Sequence, residues 1–384
     1  MTKILKYFLV ISISFIIIVI CIAKYNDSSN ASGYYYIDEN FKAITPKYYG
    51  AFPFSEDGIA KVVIFDDPIA YTKYINTHGE YLFDNAEYLI GSSFSYGYAR
   101  VGSKLNSECS YTMIDSQGKI ITEIQSIIYI KGEKYCIYPY YQATGWGFDF
   151  SFHQGAALVQ YWKTDDSNNK DSDKYLYGYI DRKGDFVIKP QYKYASSFSE
   201  DGIALVGNGQ LYGYIDINNK FVIPYYYKNA KDFSLCGLAP VQDQYEKWGY
   251  INISNEYVIP AIYTEANMFD ENGFATVSTT GNYWKIINSD GKEMTEEKYV
   301  EIHNCIHGYF AVKDKSQKWG ILNSEGNVII PCMYENISDV SKNGLIAVKS
   351  GELWGYIDIN NNWIQKPKYH YASSFENGFA IVKN

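Results

Sequence analysis

Apolar positions in this chain fall in short runs, cut off by clusters of Asp, Asn, Gly and Pro. Such runs, rich in β-branched and aromatic residues and bounded by turn formers, predict strands. Long stretches with helical period are absent from residue 34 onward, so the pattern predicts an all-β body. The exception is YFLVISISFIIIVICIA, residues 7–23, which carries no charge and follows Lys3 and Lys6. It reads as a hydrophobic helix: a transmembrane anchor or a signal peptide, residues 1–23, with the chain beyond it outside the cytoplasm. Cleavage after Ala23 or Ala31 would make the protein secreted rather than anchored. Cys21 fits lipid attachment poorly, because Ile20 stands where a small residue is needed. Residues 24–33 form a polar linker.

The strand runs repeat. YGYID at Tyr177 returns at Tyr212, then as WGYIN at Trp248, WKIIN at Trp284, WGILN at Trp319 and WGYID at Trp354, in steps of 35 or 36 residues. Weaker copies start at Tyr34, Thr72 and Tyr111. Nine units therefore cover 34–384, irregular over 34–176 and regular over 177–384. Four residues after each anchor stands Asp or Asn, such as Asp181, and three further on usually Gly or Asn, such as Gly184. The first caps a turn and the second accepts a left-handed backbone. A β-branched pair and often a proline follow, then tyrosine fifteen residues after the anchor in seven units. That proline ends its strand or marks an edge. All nine units close on G-x-x-x-V with an internal alanine, read as a short strand approached closely by its neighbour. The glycine beside the anchor, as in Tyr177–Gly178, Trp248–Gly249, Trp319–Gly320 and Trp354–Gly355, is expected to leave room for an adjacent ring. Each unit then reads as about three strands in a meander, which only stacking can bury.

The Trp-Gly column with D-x-x-G, V-I-x-P-x-Y and G-x-A-x-V at this period resembles the WG-repeat, or KWG-repeat, proteins of bacteria. The chain departs from that pattern with Tyr for Trp at Tyr177 and Tyr212, and in losing glycine after Tyr34, Thr72, Tyr111 and Trp284. The resemblance implies an exported β-rich array whose motif residues are structural, and no reaction. Nine units exceed the usual number of propeller blades, which favours an open curved solenoid, with a closed propeller as the alternative.

Composition narrows the function. The formal charge is −9 and no basic cluster occurs, which argues against nucleic acid as a partner. Tyrosine is over-used, 41 of 384 residues, as suits strands and recognition surfaces. Beyond residue 23 five cysteines remain, an odd number without C-x-x-C spacing, so most read as small core residues. The third unit is overlong. Its tail holds the acidic run at 163–174, which lacks the glycine and terminal glutamate of a calcium loop. Its middle, within 123–153, holds Tyr138, Tyr140, Tyr141, Trp146 and Phe148, the ligand-binding candidates. His303, Cys305 and His307 share a face if extended, but alternate side chains diverge too far for one metal to take all three, so no metal is assigned. No hydrolase, metalloprotease or phosphate-binding motif is present, and no cofactor is expected. The reading is a non-enzymatic, membrane-anchored array that binds a protein, peptide or glycan. The rivals are a hydrolase with carboxylates converging from several units, and a mechanical spacer.

Overall fold

The computed structural model describes residues 33–384, apart from 67–68, 84–87, 89, 95–96, 103–110, 125–126, 138–153, 164–174 and 297. The apolar segment 7–23 and the linker at 24–32 lie outside the described residues. The described residues contain no helix. They form nine small antiparallel sheets, most built of strands in chain order. One sheet runs through Tyr194–Ala195, Ile203–Gly207, Tyr212–Asp216 and Phe221–Tyr227.

The middle two strands of that sheet are buried on both faces, and the fourth alternates buried with exposed positions. The reason is placement: sheets pack face to face, so an inner strand has a neighbouring sheet on each side, while the fourth is an edge. Proline sits inside that edge strand, as Pro190, Pro224, Pro260, Pro331 and Pro367 do in their sheets. The edge expectation holds, although the strand runs on past the proline. The G-x-x-x-V glycines serve conformation rather than close approach. All nine have positive φ, between 71° at Gly58 and 85° at Gly378, and no neighbour crowds Gly237, Gly308, Gly344 or Gly378. The close contact belongs to the alanine, with Ala204, Ala239 and Ala347 fully buried.

Sheets and sequence units are out of phase. The first two strands of a sheet come from the tail of one unit and the last two from the head of the next. A fourth strand, the two-residue Tyr194–Ala195 type, was hidden in what reads as a loop because it is too short to show a period. The offset leaves the last tail, Tyr371–Ala372 and Phe379–Lys383, without a following unit. The first unit supplies the missing strand: Tyr34–Asp38 pairs antiparallel with Phe379–Lys383, Tyr36 opposite Ile381. Apolar clusters tie this sheet to both neighbours, Tyr35 and Ile37 to Ala347 and Tyr356, and Tyr36 and Ile381 to Ala60 and Val62. The array is therefore a closed ring, a propeller of nine sheets, and the open solenoid expected from the unit count is corrected. Closure gives both terminal strands partners that an open array would leave exposed.

The overlong third unit adds to the ring. Ile127–Ile130 and Glu133–Ile137 form a hairpin that extends one sheet to five strands, turning through left-handed Lys131 and Gly132.

Candidate functional site

The motif residues are engaged in holding the ring. At all nine anchors the Asp or Asn side chain accepts backbone N–H groups of the turn; Asp181 takes those of Lys183 and Asp185 at 2.8 and 3.0 Å. The next column explains the choice of Asn over Gly. Asn219, Asn255 and Asn361 sit at φ of 64–65°, and each accepts a hydrogen bond from a tyrosine hydroxyl of the preceding sheet, Tyr192, Tyr227 and Tyr334. In the first unit Phe41 takes this position at φ of 61° and packs on Tyr356 and Phe375 across the closing seam.

A second set of hydroxyls escaped notice in the sequence. Tyr36, Tyr74, Tyr179, Tyr214, Tyr250 and Tyr356, each about fully buried, donate to the carbonyls of Phe52, Ser92, Ser196, Lys231, Asn267 and Ser373 on the next sheet, at 2.6–2.9 Å. The signal was available: each stands two residues after its anchor, where Met113, Ile286 and Ile321 break the series. The anchor glycines also differ from expectation. A Cβ on Gly178, Gly213, Gly249, Gly320 or Gly355 would lie 2.4–2.7 Å from backbone atoms of the fourth strand, which bulges inward around its proline. Backbone, rather than a neighbouring ring, fills the space at these glycines, with Trp363 an additional neighbour at Gly355.

Ring cover of a glycine occurs elsewhere. At one end of the sheet described above, Tyr194, Gly207 and Tyr212 stand in a row across three strands. A Cβ on Gly207 would meet Tyr212 and Tyr194 at 3.1–3.2 Å. Their rings touch edge to face at 5.4 Å, and Tyr177 of the preceding sheet packs on Tyr194 at 6.2 Å. Tyr194 keeps 39% of its surface exposed. Burial, then the charge of Asp232, then Tyr212 and Tyr177 push its phenol up to about 12. Burial raises the Asp232 carboxyl itself, against hydrogen bonds from the Ser196 hydroxyl and the Leu205 backbone. The closing sheet repeats the arrangement as Tyr371, Lys383 and Tyr34, with Trp354 from the preceding sheet. Those tyrosines also meet edge to face, at 5.7 Å, and Tyr371 is 40% exposed. Here the middle residue is a lysine, whose Nζ lies 5.1 Å from the centre of the Tyr34 ring.

The candidates read from sequence are distributed as follows. Tyr138, Tyr140, Tyr141, Trp146 and Phe148 lie outside the described residues. His303 turns its Nδ1 to Asp339 Oδ1 at 2.9 Å and packs against Trp319 with its ring tilted by 59°, and the Asp339 bond raises its pKa. His307 Nδ1 meets the Val340 carbonyl, and Cys305 is buried, its thiol pushed up to about 11. Among the described residues no three His, Cys, Asp or Glu side chains converge as metal ligands. Cys305 is a core residue as expected, whereas Cys236 is exposed. Lys61 was not foreseen: its Nζ sits 3.6 Å over the Phe52 ring, and burial lowers its pKa to about 8.

The repeat is recognised independently of these contacts. A family model described as the WG containing repeat matches residues 36–64, 177–212, 212–247, 248–284, 319–354 and 354–384, together more than half of the chain. The chain belongs to the WG-repeat family. The WG units at Thr72, Tyr111 and Trp284, each without the anchor glycine, fall outside the matched segments. No curated protein matches the chain. Among solved structures it is similar to one described as the crystal structure of the eukaryotic initiation factor, with a TM-score of 0.52 and 10% identity over 93% of this chain and 98% of that one. Another is BamB from Moraxella catarrhalis, with a TM-score of 0.38 and 11% identity over 92% and 99% of the two chains. The first likeness concerns the fold alone.

Proposed function

We propose that this WG-repeat protein is a non-enzymatic binding ring, exported and held at the membrane by residues 7–23, that engages a protein, peptide or glycan through its aromatic surface. The observation that carries the reading is a row of exposed apolar side chains on the edge strands. Phe221, Val222 and Tyr226, then Tyr257, Val258 and Ile262, then Val328, Ile329 and Met333, recur at the same columns, 37–71% exposed. Exposed apolar side chains grouped on one edge strand after another are a feature of contact sites. Tyrosine and tryptophan add large rigid area with a polar tip, which suits recognition. The motif residues, by contrast, are taken up in turns and in ties between sheets.

A photo-crosslinking side chain placed at Tyr226 or Tyr257 of the full chain in its native cells tests this. It should trap a discrete partner, while the same probe at exposed Lys342 should not. Equal trapping at all three positions would sink the reading. External protease on intact cells should cut the ring only if it is exported.

A further inference from the structure

We propose that Tyr194 and Tyr212, with the charge of Asp232 acting on Tyr194, seat a lysine ammonium supplied by a partner polypeptide. This deepens the binding reading above and rests on it. The row Tyr194–Gly207–Tyr212 and the row Tyr371–Lys383–Tyr34 occupy equivalent places in two sheets. The ring pairs match in separation and tilt, 5.4 Å and 75° against 5.7 Å and 82°. The outer tyrosines match in exposure, at 39% and 40%. Each lies in the field of a carboxylate, Asp232 for Tyr194 and Glu376 for Tyr371.

The rows differ in the middle residue. In the closing sheet Lys383 places its ammonium against the Tyr34 ring. The same column supplies Lys313, whose Nζ lies 5.4 Å from the Trp319 ring. At Gly207 the middle position itself carries no side chain and so no cation, yet the two rings stand as they do around Lys383. An ammonium is drawn to ring faces by their quadrupole and to the carboxylate by charge. The internal occupant of the equivalent seat is a lysine, which selects a lysine side chain over a bulkier quaternary group. The net charge of −9 favours approach of a basic segment.

The test is NMR of the full chain in detergent with ring-labelled tyrosine, the Tyr194 and Tyr212 signals being assigned from Tyr194→Phe and Tyr212→Phe. A short peptide with one central lysine should shift both signals saturably in the millimolar range, and its acetyl-lysine counterpart should not. Gly207→Lys builds the internal cation and should abolish the response while the other tyrosine signals stay in place, showing that the ring is folded. Lys383→Ala should add a second responding pair, Tyr34 and Tyr371. No saturable shift, or an unchanged response in Gly207→Lys, overturns the proposal. A response to choline without one to the lysine peptide overturns the assignment to lysine. A partner trapped at Tyr226 with no lysine response would defeat this inference alone, and a lysine response with no trapped partner would defeat the binding-ring reading alone.

Discussion

Gly320 and Gly344 are both glycines of the repeat, yet replacing them by alanine should fail for different reasons and by different amounts. Gly320 has ordinary extended backbone, but its Cβ would stand 2.4 Å from the Ile330 oxygen and 2.8 Å from Cys332 N and Pro331 C. These are backbone atoms of a bulged strand, so no rotamer change relieves the clash. The bulge must open, which strains the Trp319–Tyr334 and Ile321–Ile330 pairing. Overpacking costs about 1–3 kcal/mol and each weakened hydrogen bond about 1 kcal/mol, so Gly320→Ala should lose about 3 kcal/mol. Gly344 has φ of 79° and nothing within 4 Å. Its alanine variant meets only the left-handed penalty of about 1–2 kcal/mol, reduced by the stiffer unfolded chain. Asparagine tolerates that conformation, so Gly344→Asn should recover most of the loss, whereas Gly320→Asn should be at least as damaging as alanine. Urea unfolding followed by circular dichroism, with amide exchange of the affected sheet as a local readout, measures all four. Equal losses at the two alanine sites, or recovery by asparagine at 320, would refute the division into a crowded glycine and a conformational one.

Tyr214→Phe and Tyr250→Phe leave the carbonyls of Lys231 and Asn267 without their hydroxyl donors, so each should cost about 1–2 kcal/mol in the same unfolding assay. Neutral variants would deny these hydroxyls a role in tying sheets together. Asn255→Gly keeps the left-handed turn but removes the acceptor of Tyr227, for about 1 kcal/mol, and Asn255→Ala should add about 1 kcal/mol more. The bond to Asp339 raises the pKa of His303, so its contribution is fully present below the unfolded value and fades as pH rises through the folded one. His303→Gln should remove the loss of stability that sets in as pH rises above the unfolded value of 6.5, and an unchanged profile would contradict that linkage. Lys61 is the opposite case: its folded pKa of about 8 lies below the unfolded 10.5, so stability rises with pH between those values. Lys61→Met should remove that rise and stabilise the ring at neutral pH by about 2 kcal/mol, net of the lost contact with Phe52.

The sequence by itself determined the parts. Turn chemistry is local: Asp181 reaches backbone N–H groups only two and four residues away, and Gly184 needs its left-handed φ wherever the turn sits. Period, strand class and family were therefore legible from 34 onward. What a local pattern cannot carry is which atoms arrive from another sheet. The space beside Gly178 reads as room for a ring, yet the inward bulge at Ile188–Pro190 fills it. The hydroxyls of Tyr179 and Tyr214 reach carbonyls 17 residues on, which are neighbours only after sheets stack. Closure was decided in three dimensions alone. The pairing of Tyr34–Asp38 with Phe379–Lys383 joins the two ends of the repeat array, and the count of units pointed the other way. The candidate seat at Gly207 is of the same kind. Its meaning comes from the lysine that fills the equivalent place at the seam, a comparison that exists only once the sheets have been set in a ring.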